Sequence, residues 1–496
     1  MSYIKKILFE NFKIFEKQEE FEIKPLTFLI GPNSSGKSSI FKAFLLLKSN
    51  VQNDLQLLDF SNTKHNLGSF KNTINKYSES QNMRFMFEAS VNNSTPFSYH
   101  RLSVASKRSI SNLLVEQLNK QETDIKLSIT YSKNEESGEV KEIEVKNSND
   151  ESFLKLILGD EYRNNKLIFR HDLVSKNPVL NYVFIESVIR NAYNFKSLNK
   201  DDNERYTYKM DILSENNNPI SVFSELYSKF INRYISFTTK RDDISKYMCG
   251  QPLRRILKDF SSLIDNTEYI EAVRANTKRL YTNDSQGTSF NELILEFRSR
   301  KISTTGVMFI NKWLNKFEIA DSIEISDVEG VANTVYLNKD GEKIALADLG
   351  YGITQFLPIL LKLALEQPID NSEDKKYNYI KKIILLEEPE TNLHPKLQSL
   401  LGDFLVDAIN TFEIKFIIET HSEYIIRKLQ VLTATKNIKT DDSLIYYFNS
   451  PYKGIENQII KINIDNLGNL DNQFGQGFFD EATELKFQLL KHKTKN

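Results

Sequence analysis

The first ninety residues are built from short stretches in which apolar and polar side chains alternate. "YIKKILFENFKIF" at 3–15, "EFEIK" at 20–24 and "RFMFEASV" at 84–91 read as strands, because period-two alternation places apolar side chains on one face of a pleated backbone. Leu26-Thr27-Phe28-Leu29-Ile30 instead forms a nearly continuous apolar run, as expected of a strand buried on both faces. A Ser/Gly-rich turn follows it, and then a helix beginning near Ile40. From about residue 92 to 265 the chain becomes rich in Asn, Ser, Lys and Glu, with polar connectors such as "SLNKDDNERY" and helical stretches such as "NPISVFSELYSKFINRYISF". This reads as a largely helical insertion. A second apolar block begins near Ile302, where "YIKKIILLEEPETNLHPKLQSLLGDFLVDAI" and "IKFIIETHSEYIIRKLQVL" each run from a buried strand into an amphipathic helix. That succession predicts a parallel α/β sheet. From Ser443 short strands return, and the chain ends in a charged helix. The expected organisation is an N-terminal lobe at 1–90, an insertion at 91–270, a C-terminal lobe at 271–442 and a small α/β extension at 443–496.

Composition narrows the class. With 496 residues, 40% of them hydrophobic and 26% charged, the chain can hold two or three soluble domains. No apolar run approaches the roughly 18 residues needed to span a bilayer, so no membrane is expected among its partners. "MSYIKKILFENF" lacks the apolar core and cleavage site of a signal peptide, so a cytoplasmic location is expected. The single cysteine, Cys249, excludes an internal disulfide framework and a cysteine-rich zinc site, and the six histidines are scattered singly. A formal net charge of -1 offers no global attraction to DNA.

The chemistry lies in three short segments. In "GPNSSGKSSI", Gly31, Gly36, Lys37 and Ser38 match G-x-x-x-x-G-K-[ST] at every defined position, between a strand and a helix start. Such a loop cradles phosphates with its backbone N–H groups. Lys37 would neutralise the β- and γ-phosphates of ATP and the Ser38 hydroxyl would ligate Mg2+. Asn33, Ser35 and Ser39 complete the loop as candidate nucleotide contacts. In the second segment, Ile383–Leu386 lead into the adjacent acids Glu387 and Glu388, one to hold the metal shell and the next to orient an attacking water. The third, "FIIETHSE", brings His421 to another strand end, where it could touch a γ-phosphate. Taken singly, the acids could be a solvated loop and His421 a helix cap. Their order after the phosphate loop favours a nucleotide site.

With these segments the chain resembles the ABC-type ATPase heads of the SMC, RecF and OLD (overcoming lysogenization defect) families. "GPNSSGKSS" is similar to their Walker A motif, "IILLEEPE" to the Walker B, "TNLHP" to the D-loop and "ETHSE" to the H-loop. The resemblance implies Glu388 as catalytic glutamate and His421 as γ-phosphate sensor. Glu387 stands where most members carry Asp. "ADLGYGITQFLPIL" resembles a divergent signature motif, in which Gly350, Gly352 and Gln355 would face the ATP bound by a second subunit. "YIEAVRANTKRLY" and "GNLDNQFGQGFFDE" look like segments of small bacterial defence ATPases of the Septu and PARIS types.

OLD-family nucleases carry a TOPRIM domain after the ATPase. Only 75 residues follow His421 here, and Asp465 lacks the paired carboxylates of a two-metal site, so nuclease chemistry is expected in a partner. At 227–258, eight Lys/Arg stand against two acids with four aromatic residues interleaved. Lys240, Arg241, Arg254 and Arg255 are therefore either nucleic-acid contacts or part of a solvated helix face. The expected function is an ATP-hydrolysing switch of antiviral defence, its heads dimerising over ATP and Mg2+ to control an effector nuclease encoded nearby, with DNA as a candidate partner. A RecF- or SMC-like repair ATPase and the nucleotide-binding subunit of a transporter are the alternatives.

Overall fold

The structure, a computed structural model, describes residues 2–53, 55, 57–92, 122–147, 150, 152–157, 166–167, 195–200, 206–211, 260–272, 278–282, 289–366, 380–449, 458–475 and 478–493. The chain divides into two compact units. The first comprises Met1–Glu22, Lys42–Thr267 and Ser372–Lys381, and the second Ile23–Phe41, Glu268–Asn371 and Lys382–Asn496.

The first unit holds a seven-stranded antiparallel sheet. Tyr3–Glu10 lies between Glu19–Glu22 and Asn82–Asn92, followed by Glu122–Asn134, Ser137–Asn147 and Leu57–Leu58, while Ser152–Ile157 also pairs with Ser137–Asn147. Its buried face is aromatic. Phe9 stacks on Phe15 with centroids 5.3 Å apart and meets Phe85 edge-on at 6.0 Å.

Within the expected insertion, the described segments extend the sheet of the first lobe. Between 91 and 270 the described segments are mostly strands, and the sheet of the first lobe runs through the boundary placed at residue 90, with Asn82–Asn92 paired to Glu122–Asn134 along its whole length. The reason lies in "DIKLSITY". Ile125, Leu127, Ile129 and Tyr131 are all buried, so this segment has the period of a half-buried strand although its overall composition is polar. A further three-stranded sheet joins Phe195–Lys200, Tyr206–Asp211 and Lys166–Leu167. The stretch at 218–237 expected to be helical lies outside the described residues.

The second unit is the predicted α/β layer. Its six-stranded sheet runs Thr267–Ile270, Ile383–Glu387, Lys415–Glu419, Leu26–Ile30, Ser443–Phe448 and Ile459–Ile462 in spatial order. The four central strands are mutually parallel and the last is antiparallel. Helices Pro395–Phe412 and Glu423–Ala434 supply the crossovers that parallel pairing requires. Leu26–Ile30 and Lys415–Glu419 are buried at every position, the first a nearly continuous apolar run and the second an apolar run at 416–418 between two buried charged residues. Trp313, Phe317, Phe356 and Phe404 join the helices of this unit, with Phe317 stacked on Phe356 at 4.2 Å. Among the described residues no helix is long and apolar enough to cross a membrane.

Candidate functional site

All the parallel strands end at the same edge, and the sequence puts its charged groups there. The strand Leu26–Ile30 runs into the loop 31–37, which opens helix Ser38–Ser49. Gly31 has φ 151°, and a Cβ on it would come within 2.3 Å of the Phe448 carbonyl oxygen. No side chain fits there. The loop closes through the Ser39 N–H, which donates to the Gly36 carbonyl at 2.9 Å. Asn33 is exposed on the loop, whereas Ser35 is buried and its Oγ has no hydrogen-bond partner among the described residues.

Lys37 is folded inward and only 3% exposed. Its Nζ donates to the carbonyls of Gly31 at 3.0 Å and Pro32 at 2.9 Å and lies 3.6 Å from Glu419 Oε1. Burial lowers its pKa against the opposing pull of Glu419. The Ser38 hydroxyl donates to Glu419 Oε2 at 2.9 Å. Burial raises the Glu419 carboxyl, and the charges of Glu387 and Glu388 push the same way, while Lys37 and Ser38 oppose them. Glu419 is the residue sequence reasoning missed. It is the first letter of the segment read for its histidine, and its register partner across the parallel pair is Glu387, which identifies it as a strand-end acid of the same edge.

Glu387 and Glu388 occupy different surroundings. Glu387 Oε2 accepts from the Tyr269 hydroxyl at 2.7 Å and from the Ala272 N–H at 3.3 Å. The hydroxyl of Tyr269 is shifted upward by burial and then by this carboxylate. Glu388 turns the chain out of the strand at φ 40°, a left-handed conformation that costs a non-glycine residue energy and recurs at functional sites. Its N–H donates to the Glu419 carbonyl at 2.8 Å, and its Oε2 accepts from Thr391 Oγ1 at 3.1 Å.

His421 follows Glu419 by two residues, and its N–H donates to Glu390 Oε1 at 2.7 Å. Glu390, 7% exposed and raised in pKa chiefly by burial, ties the "EEPE" turn to the histidine loop. Burial lowers the His421 pKa, with Lys37 adding to it and Glu388 opposing, so its imidazole stays neutral near pH 7. Ser422 then caps the next helix and donates to Gln398 Oε1 at 2.7 Å.

The signature segment divides. Gly350 is the exposed N-cap residue of helix Tyr351–Ala364. Gly352 is held by contact within the chain, since a Cβ there would lie 2.3 Å from the Asn392 carbonyl. Gln355 is 1% exposed, inside the unit. Lys240, Arg241, Arg254 and Arg255 lie outside the described residues.

The donors fit Mg2+ held together with a nucleotide. No group of three His, Cys, Asp or Glu side chains that could bind a metal by themselves occurs among the described residues. A hydroxyl with nearby carboxylates is the hard-oxygen set that suits an ion completed by phosphate oxygens and water. When bound, Mg2+ would act as a Lewis acid that offsets phosphate charge, with Ser38 and the neighbouring carboxylates as the residues that would hold it.

An SMC head domain with an extended coiled coil bound to the C-terminal domain of ScpA, from Pyrococcus furiosus, is similar at 11% identity and a TM-score of 0.38, covering 99% of this chain and 100% of that one. An SMC head domain from Thermotoga maritima gives 10% identity and a TM-score of 0.34 over 93% and 99% of the two chains. No curated protein matches the sequence. Residues 438–489 match a protein family of unknown function, DUF3696. Residues 2–426 match the AAA ATPase domain, including the phosphate loop, both strand-end acids and the histidine loop, and so the chain belongs to the AAA ATPase domain family.

Proposed function

We propose that this chain binds ATP with Mg2+ and hydrolyses it, and that it works as a switch whose heads dimerise over nucleotide to control an effector protein. The observation that carries the reading is the convergence at one sheet edge of a buried lysine, a phosphate-loop serine, a strand-end glutamate and a neutral histidine. Lys37 and the loop N–H groups would bind the phosphates. Glu388, on its strained turn, would orient the attacking water and accept its proton, with Thr391 holding one carboxylate oxygen. His421, held by Glu390 through its backbone, would meet the terminal phosphate as a neutral hydrogen-bonding group. Gly350 at a helix N-cap would present N–H groups to the nucleotide of a second copy.

The setting we propose is bacterial antiviral defence, with a nuclease as the controlled partner and no nuclease chemistry in this chain. The sequence likeness of 269–281 and 468–481 to defence ATPases supports it. Glu388→Gln keeps size and polarity but removes the base. It should retain Mg-ATP binding, lose turnover by about 10²–10⁴-fold and accumulate as an ATP-dependent dimer in light scattering. Wild-type turnover in this variant would refute the assignment. The purified wild-type chain with Mg2+ and ATP should leave plasmid DNA intact, and copurification of the native protein should recover the effector.

A further inference from the structure

We infer that Glu419 is the carboxylate that positions Ser38 for the Mg2+ of a bound nucleotide, a duty the motif alone assigns to Glu387. The inference rests on the nucleotide-binding reading above and concerns how that site is built.

Three observations converge. The Ser38 hydroxyl has one hydrogen, and it points to Glu419 Oε2 at 2.9 Å. Spending the hydrogen there leaves the oxygen's lone pairs free to face a cation. The second observation is register. Lys415–Glu419 pairs directly with the phosphate-loop strand, Glu419 opposite Leu29, while the strand bearing Glu387 lies one place further out. At about 4.8 Å per strand, Glu387 starts roughly 10 Å from the phosphate-loop strand, twice the offset of Glu419. Third, the nearer acid is turned toward the loop and the farther one is engaged elsewhere. Glu419 Oε1 lies 3.6 Å from Lys37 Nζ, its side chain 8% exposed, whereas Glu387 Oε2 is held by Tyr269 and Ala272.

A buried carboxylate needs compensating charge. Lys37 supplies part of it here, but a nucleotide's phosphates would compete for that ammonium. A cation between Ser38, Glu419 and the phosphates would restore the balance. Glu387, adjacent in register, would then reach the metal through water.

The test is calorimetric titration of the full-length chain with ATP, in Mg2+ and in EDTA, reading the ratio of the two affinities. Wild type should bind more tightly with Mg2+. Glu419→Gln should lose tenfold or more of that gain while binding ATP in EDTA at least as well, because a negative charge near the phosphates is gone. Glu419→Asp keeps the charge but withdraws it by one methylene, and should lose a smaller part of the gain; it decides the matter if the glutamine variant does not fold. Glu387→Gln should lose less of the gain than Glu419→Gln. A wild-type Mg2+ gain in the Glu419 variants, an equal loss with and without metal, or a larger loss in Glu387→Gln would each overturn the inference. Absence of any ATP binding by the wild type would instead overturn the nucleotide reading itself.

Discussion

The principal sheets of the two units are of opposite kinds, although the second unit also carries a four-stranded antiparallel sheet at 281–345. The difference between the principal sheets locates the chemistry. In the first unit neighbouring strands run in opposite directions, so turns are shared between two edges and each strand contributes alternate side chains to a phenylalanine-rich core. In the second, the four central strands run the same way. Every loop that follows them opens at one edge. That edge gathers the phosphate loop, Glu387, Glu388, Glu419 and His421 from segments almost 400 residues apart in sequence. A parallel sheet brings the C-terminal ends of distant strands together at one edge, whereas an antiparallel one divides its turns between two.

The contrast can be broken most sharply at Lys37. Lys37→Ala removes the cation fixed in the phosphate loop and should lower phosphate release by about 10³-fold or more, with the circular dichroism spectrum unchanged. Residual turnover near wild type would remove the second unit's claim to the chemistry. The counterpart in the first unit is Phe85→Ala, which empties an aromatic core position and should cost about 3–4 kcal/mol of stability in urea titration. An unchanged midpoint would show that this sheet does not depend on its phenylalanine face.

A smaller effect is expected at Gly352, where a Cβ would meet the Asn392 carbonyl at 2.3 Å. Gly352→Ala should cost about 1–3 kcal/mol in thermal unfolding, whereas Gly350→Ala, with nothing within 4 Å of its would-be Cβ, should cost only about 0.5 kcal/mol, the difference between glycine and alanine at a helix N-cap. Equal losses would contradict the packing described. The smallest effect concerns His65 in the first unit, 2% exposed and held below the usual histidine range by burial, against the pull of Asp59. The folded state takes up this proton less readily than the unfolded chain, so stability falls as pH drops below about 6.5. His65→Asn should flatten that part of the thermal midpoint's pH dependence; an identical slope in the variant would show that His65 does not contribute.

Much of the second unit was legible in the chain itself. Apolar runs at 26–30, broken only by Thr27, at 383–386 and at 416–418 announce strands buried on both faces, and a glycine-lysine-serine loop between strand and helix announces a phosphate cradle, because both are local patterns. In the first unit the strands at Tyr3–Glu10, Glu19–Glu22 and Asn82–Asn92 were legible in the same way, whereas those from Glu122 onward were not. The alternation at 125–131 is equally local, but its polar surroundings draw the reading toward an insertion of helices, and only pairing with Asn82–Asn92 makes it a strand.

The residue types at the site were determined by sequence alone, and so were the order of the motifs and the presence of Lys37, Glu388 and His421. Tertiary structure decided which acid stands beside Ser38. Glu387 and Glu419 both end apolar strands and look alike in the chain, and their different surroundings arise from strand order, which places one against the phosphate-loop strand and the other one strand away. It also decided that Gln355 is buried and that Gly352 serves a contact with Asn392. The physical reason is common to all of these: period and spacing act between near neighbours, whereas register, burial and the partners of a charge depend on segments that meet only after folding.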